Sequence, residues 1–160
     1  MAIALGEKIP DVKLKTMTPE GVRDVSTAEL CRGKKVVLFA VPGAYTGTCS
    51  TKHLPGFVEL VDEIKAKGVD VVACTAVNDI HVLQAWAREH GAGPKIELLA
   101  DGNGDFARAM GLELDARGFG MGIRSQRYAA IFDDGALESL QIDIPGEVTG
   151  SGAAAVLRAL

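Results

Sequence analysis

The residue with the clearest chemical potential is Cys49, because of what precedes it: Thr46 stands three positions upstream and Pro42 seven, with Gly43 and Gly47 interspersed. A cysteine attacks as its thiolate, and a free side chain, with a pKa of about 8.5, is mostly protonated at neutral pH. The pattern predicts a helix that starts near Thr46 to Thr48, placing Cys49 in its first turn. There, unpaired backbone N–H groups and the positive end of the helix dipole favour the ionised sulfur. Thr46 would lie one turn before it, its hydroxyl able to donate to sulfur or to accept from a hydroperoxide. Pro42 lacks an N–H and carries a rigid ring, so it can wall a pocket without competing for the thiolate. Gly43 and Gly47 let backbone approach a small ligand closely. Gly47, Thr48 and Tyr45, with His53 one turn beyond the cysteine, complete the candidate substrate-binding segment.

The remaining thiols and imidazoles offer less. Cys31 falls at the end of a short helix and Cys74 in an apolar run that reads as a buried strand. An odd number of cysteines in a chain of this length is no disulfide scaffold, and there is no Cys-x-x-Cys pair for dithiol exchange. His53, His81 and His90 do not stand with cysteines at zinc-ligand spacing, so no metal is expected. The acids Asp133 and Asp134 belong to a turn, and Asn78-Asp79 reads as a helix cap.

To position Cys49, the chain supplies alternating strands and helices. Ser26-Thr-Ala-Glu29 has capping-box spacing and opens a short helix ending near Gly33. Lys35 to Val41 is a continuous apolar run between Gly33 and Pro42, the pattern of a strand covered on both faces. After the Cys49 segment an interruption is expected at Pro55. Phe57, Leu60, Val61 and Ile64 then recur with helical period up to Gly68. A second buried strand covers Val69 to Val77. A helix capped by Asp79 follows, with Ile80, Leu83, Trp86 and Ala87 on one face. A third strand spans Lys95 to Ala100, and a short helix runs from Phe106 to Met110. Arg127 to Phe132 and Ala136 to Ile142 flank Asp133-Asp-Gly135 as a hairpin. A last helix carries Ala153, Val156, Leu157 and Leu160. Alternating strands and helices imply an α/β layered sheet, completed by a hairpin and a final helix.

The 160 residues suit one domain spanning 1–160. A net charge of −4 gives no electrostatic case for nucleic acid or an anionic membrane. There is no apolar run of the ~18 residues a spanning helix needs. Met1-Ala-Ile-Ala-Leu-Gly-Glu-Lys8 lacks the basic start and long apolar stretch of a signal peptide, so a cytoplasmic location is expected.

Pro42-x-x-x-Thr46-x-x-Cys49 resembles the active-site signature of the peroxiredoxins. The longer string Val41-Pro-Gly-Ala-Tyr-Thr-Gly-Thr-Cys-Ser-x-x-His-Leu-Pro-Gly-Phe57 is similar to the type II, or peroxiredoxin-five, branch. Gly33-Lys-Lys-Val-Val-Leu-Phe39, Lys67-Gly-Val-Asp-Val-Val-Ala-Cys74, Val77-Asn-Asp79 and Leu98-Leu-Ala-Asp101 extend the likeness across the chain in family order. The resemblance implies a thioredoxin-like α/β fold with a central mixed sheet flanked by helices. It also implies an arginine on a late strand set against the peroxidatic cysteine. In Ile123-Arg-Ser-Gln-Arg-Tyr128 the match is Arg127, ahead of the neighbouring Arg124.

The implied reaction is reduction of hydrogen peroxide or organic hydroperoxides through a Cys49 sulfenic acid, with no metal or prosthetic group. No cysteine lies in 147–155, where some relatives carry a resolving thiol. An external reductant is therefore expected: glutathione with glutaredoxin, or thioredoxin. The resemblance further implies a homodimer with Tyr45 as a contact. Competing readings are a general thiol–disulfide oxidoreductase, an inactive binding module, and an oligomeric chaperone or redox relay that passes oxidation to a bound partner.

Overall fold

In a computed structural model, which describes residues 1–47 and 52–160, the apolar runs become the centre of a seven-stranded mixed sheet. Three strands are parallel: β3 (Lys35–Ala40), β4 (Val71–Ala76) and β5 (Glu97–Ala100). Antiparallel to β3 runs β8 (Arg127–Asp133), and beyond it β9 (Ala136–Asp143). On the other side, β1 (Lys13–Thr18) and β2 (Gly21–Ser26) form an antiparallel hairpin beside β5. The order across the sheet is β2-β1-β5-β4-β3-β8-β9, and a separate ribbon pairs β6 (Glu113–Asp115) with β7 (Ile123–Ser125).

Both faces of the sheet are covered, which is why β3 and β4 are apolar at nearly every position. One face packs against α2 (Leu54–Ala66), α3 (Ile80–Glu89) and α5 (Ala153–Ala159), burying Phe39, Phe57, Ile64, Trp86 and Val156. The other packs against α1 (Thr27–Cys31) and α4 (Asp105–Met110), burying Leu38, Leu99, Phe106 and Phe132. Each such side chain contributes about 1.5–3 kcal/mol through burial alone.

The local signals act as expected at most boundaries. Ser26 Oγ accepts from Glu29 N at 3.2 Å and Asp79 Oδ1 from Val82 N at 3.0 Å. Asp134 and Gly135, at φ 49° and 81°, turn the β8–β9 hairpin with left-handed backbone that glycine adopts without cost.

The helix bearing Phe57 begins at Leu54, with Pro55 in its first turn; residues 48–51, on which the expected interruption also depends, lie outside the described residues. His53 already has helical dihedrals, a π-type turn covers Lys52 and His53, and α2 continues through Pro55. Proline in a first helical turn forfeits an N–H that would be unbonded anyway. The N-terminal hairpin was not foreseen: in β1 and β2 only Leu14 is fully buried, so these edge strands lack a strong alternating signal.

This topology creates the site. Because β8 runs antiparallel to β3, with Ala40 opposite Tyr128, the start of β8 lies beside the end of β3. Arg127 and the Pro42 segment, 85 positions apart in sequence, thus meet at one end of the central strands.

Candidate active site

The segment leaving β3 is tightly tied. Ala44 N donates to Asn78 Oδ1 at 2.9 Å, and Thr46 Oγ1 donates to Gly43 O at 2.7 Å. With its hydrogen directed at that carbonyl, Thr46 offers other groups its oxygen lone pairs. Gly43 sits in a crowded place: a Cβ there would stand 3.0 Å from Arg124 Nη1 and 3.2 Å from Thr46 Cγ2, so both side chains would have to give by a few tenths of an ångström. Arg124 braces the segment from behind, with Nε donating to Met121 O at 2.8 Å and Nη1 to Val77 O at 3.1 Å. Tyr45 adopts φ 63° and remains half exposed, its hydroxyl donating to Glu89 at 3.2 Å. Gly47 is exposed. Cys49 and Thr48 lie outside the described residues, so the expected helix-start placement of the thiol is not among the structural observations.

Arg127 is only 4% exposed and lies on the same sheet face as Ala129 and Ile131, toward α2 and α5. With Pro42, Leu114, Gln126, Asp143 and Pro145 it lines a cavity of about 20 Å³, one water-sized molecule's worth of room. Its Nη1 donates to His53 Nδ1 at 2.9 Å. His53 is completely buried beside the stacked pair Phe39 and Phe57, at ring-centroid distances of 5.1 and 5.6 Å, and its Nε2 meets Ser151 O at 2.9 Å. Burial, with the Arg127 charge adding to it, lowers the His53 pKa to about 4, against opposing contributions from Ser151 and Asp143. The imidazole is therefore neutral at physiological pH.

Asp143, opposite Arg127 in the β8–β9 register, gathers the turn that carries Ser151. Its carboxylate accepts from Thr149 N and Oγ1 (both 2.7 Å), Gly150 N (3.0 Å), and Ser151 N (3.1 Å) and Oγ (2.6 Å). Burial alone would raise this carboxyl's pKa; the Ser151 and Thr149 hydrogen bonds outweigh it and hold the pKa down at about 2.

The structure thus brings Pro42, Thr46, Arg127 and His53 to one end of the central strands. It adds Asn78, Arg124, Asp143 and Ser151, which sequence reasoning did not assign to the site. Asn78-Asp79 was read as a cap, and Asp79 does the capping; Asn78 additionally accepts from Ala44 N. The run Asp143-x5-Thr-Gly-Ser151, an acid followed by hydroxyl and glycine donors, was the available signal for the turn. Cys31 and Cys74 are both fully buried, and burial pushes the Cys31 thiol up to about 11, far from a reactive thiolate.

A family model described as Redoxin matches residues 4–157. Peroxiredoxin-2E, chloroplastic, of Arabidopsis thaliana is 45% identical over 163 residues, covering 99% of this chain and 70% of that protein. Peroxiredoxin-2B of the same plant is 41% identical, covering 99% and 98%. The chain is a peroxiredoxin. Among solved structures, reduced Prx3 of Vibrio vulnificus in complex with hydrogen peroxide superposes with a TM-score of 0.94, at 48% identity over 98% of each chain. The fold is accordingly the thioredoxin-like α/β arrangement expected, the branch is type II, and the activity is that of a thiol-dependent peroxidase that takes a peroxide substrate and a thiol reductant.

The same comparisons overturn the cytoplasmic location expected from the N-terminus. Besides the Arabidopsis protein, relatives of this peroxiredoxin include a chloroplastic Peroxiredoxin-2E-2 (47% identical) and a mitochondrial Peroxiredoxin-2F (41%), both of Oryza sativa. The first eight residues do not decide the compartment of a chain with such relatives.

Proposed function

We propose that residues 1–160 act as one domain in which Cys49 is the peroxidatic nucleophile, assisted by Thr46, Arg127 and Pro42. The Cys49 thiolate attacks the terminal oxygen of a hydroperoxide. An S–O bond forms, the O–O bond breaks, and the leaving oxygen takes a proton to depart as water or an alcohol, leaving Cys49 as a sulfenic acid. Arg127 supplies fixed positive charge to the thiolate and to the oxygens as charge shifts along the breaking bond. Thr46 accepts from the peroxide O–H, Pro42 excludes water, and Gly47, Thr48 and Tyr45 border the approaching substrate. A first external thiol condenses with the sulfenic acid, releasing water and forming a mixed disulfide; a second attacks the sulfur of the first, joining the two external thiols in a disulfide and releasing Cys49 as a thiolate.

The observation that carries this reading is an arginine only 4% exposed, sharing one small cavity with Pro42 at the end of β3 from which the Cys49 segment departs. A buried cation with no catalytic duty would be costly to retain.

Glutathione with glutaredoxin is the proposed reductant, with thioredoxin as the alternative, because Cys31 is buried with a raised pKa and Cys74 is buried in β4. A homodimer is proposed through the face bearing Tyr45, with exposed Phe119 and Ile123 nearby; the Met121 methyl group lies 3.6 Å from where a Gly43 Cβ would stand. Peroxide consumption measured with each reductant system, for the wild type, Cys49→Ser and Arg127→Gln, tests the reading. Turnover lost in Cys49→Ser and cut at least tenfold in Arg127→Gln is expected. Wild-type rates in either variant would overturn the assignment.

A further inference from the structure

Arg127 has donors and no acceptor, so the nitrogen of His53 that it contacts at 2.9 Å must present a lone pair. That fixes the ring hydrogen on Nε2, where it donates to Ser151 O at 2.9 Å. One tautomer, neutral, satisfies both contacts. The Ser151 carbonyl cannot drift, because its own N–H and hydroxyl are bound to Asp143, together with Thr149 and Gly150. The ring is walled by Phe39 from β3 and Phe57 from α2, and the charged groups facing it are Arg127 from β8 and Asp143 from β9. A histidine in such a place differs from an ordinary core histidine in one respect: its acceptor atom is spent on the cation proposed to act on peroxide.

We propose that His53 is the positioning residue for Arg127, a neutral acceptor anchored through Ser151 to Asp143 that fixes one arm of the guanidinium and so holds the rest of the fork in place for peroxide. This rests on the assignment of Arg127 made above. A planar guanidinium held at one nitrogen by a rigid partner has its orientation set, so the remaining donors need not be reoriented as the O–O bond lengthens. Without the acceptor, the buried cation would seek another partner or swing, and its alignment would be lost while its charge stayed nearby.

Two conservative variants separate the two ends of the ring. In His53→Asn the side-chain oxygen replaces Nδ1, keeping the acceptor for Arg127 and losing the bond to Ser151. In His53→Gln the terminal NH2 replaces Nε2, keeping the donor to Ser151 and losing the acceptor. The readout is the second-order rate of Cys49 oxidation by hydrogen peroxide, measured beside thermal stability for each variant. Loss of a hydrogen bond to a charged group predicts a fall of ~10- to 100-fold in His53→Gln, with His53→Asn within about threefold of wild type. Adding His53→Gln to Arg127→Gln should cost nothing further, since both act through one guanidinium.

Equal losses in the two His53 variants, rates that track thermal stability alone, or additive losses in the double variant would overturn the proposal. If Arg127→Gln itself oxidises at the wild-type rate, the parent assignment falls and this inference with it. If Arg127→Gln is slow while His53→Gln is fast, only the positioning role falls. Should the Arg127 variant not fold, the comparison of Asn with Gln at position 53 decides alone.

Discussion

Acidification should strain the molecule at His53 before it reaches any carboxylate held below its ordinary range. In the unfolded chain the imidazole takes a proton near its ordinary pKa of about 6.5. In the folded chain, burial and the adjacent Arg127 delay protonation to about pH 4. Between these values the unfolded state binds the extra proton, so stability declines as pH falls through the window and levels off below it. At about 1.4 kcal/mol per pH unit, the loss is of order 3 kcal/mol, a large part of the ~5–15 kcal/mol a domain possesses. Asp101, whose carboxyl is raised by burial, works in the opposite sense at the lower end of the window. Its contribution is common to wild type and His53→Gln. The assay is urea unfolding at intervals from about pH 7 to pH 4 for both proteins. The wild-type curve should fall by about 3 kcal/mol relative to His53→Gln, with unchanged m-values. Parallel curves would show that His53 is not the neutral, fully buried partner of Arg127, and the tautomer reasoning would fail with it.

Other consequences follow from particular contacts. Asp143→Asn leaves one acceptor oxygen where five donors converge, and should cost about 2–3 kcal/mol in denaturant unfolding while slowing peroxide reduction through displacement of Ser151. The stability supplied by that carboxylate is present above about pH 3.8 and is lost as pH falls toward about 2, a window below that of His53 and resolvable in acid titration of unfolding. Gly43→Ala drives a methyl group against Arg124 and Thr46, and should cost about 1–3 kcal/mol and lower kcat/KM for peroxide, checked by calorimetry and steady-state kinetics. Cys31→Ala and Cys74→Ala should lose stability through cavities yet keep the wild-type reductant requirement in coupled peroxidase assays.

The sequence was legible where local chemistry and burial agree. The Lys35–Val41 run read as a strand covered on both faces, Ser26 and Asp79 as caps, and Asp133-Asp-Gly135 as a tight turn between two strands, and each is so. The β1–β2 hairpin escaped notice because an edge pair needs few buried side chains, and Leu14 is nearly alone in being covered. At the site, Pro42 and Thr46 were readable from spacing, whereas Arg127 needed the resemblance. Its meeting with Pro42 depends on the antiparallel pairing of β8 with β3, a long-range fact with no local trace. His53 was grouped with the substrate-binding segment, with a positioning role or none favoured for it; the structure turns its ring toward Arg127 and Ser151. Asp143 was not singled out, because its five donors come from a turn that only tertiary folding brings back to it.

One determination bears on the central claim more directly than any other. Reduced protein treated with one equivalent of hydrogen peroxide and a sulfenic-acid trap should yield, by peptide mass spectrometry, a single adduct on the Cys49 peptide, with Cys31 and Cys74 unmodified and no intrachain disulfide. A trapped adduct elsewhere, or Cys49 recovered as an unreacted thiol while peroxide disappears, would contradict the account.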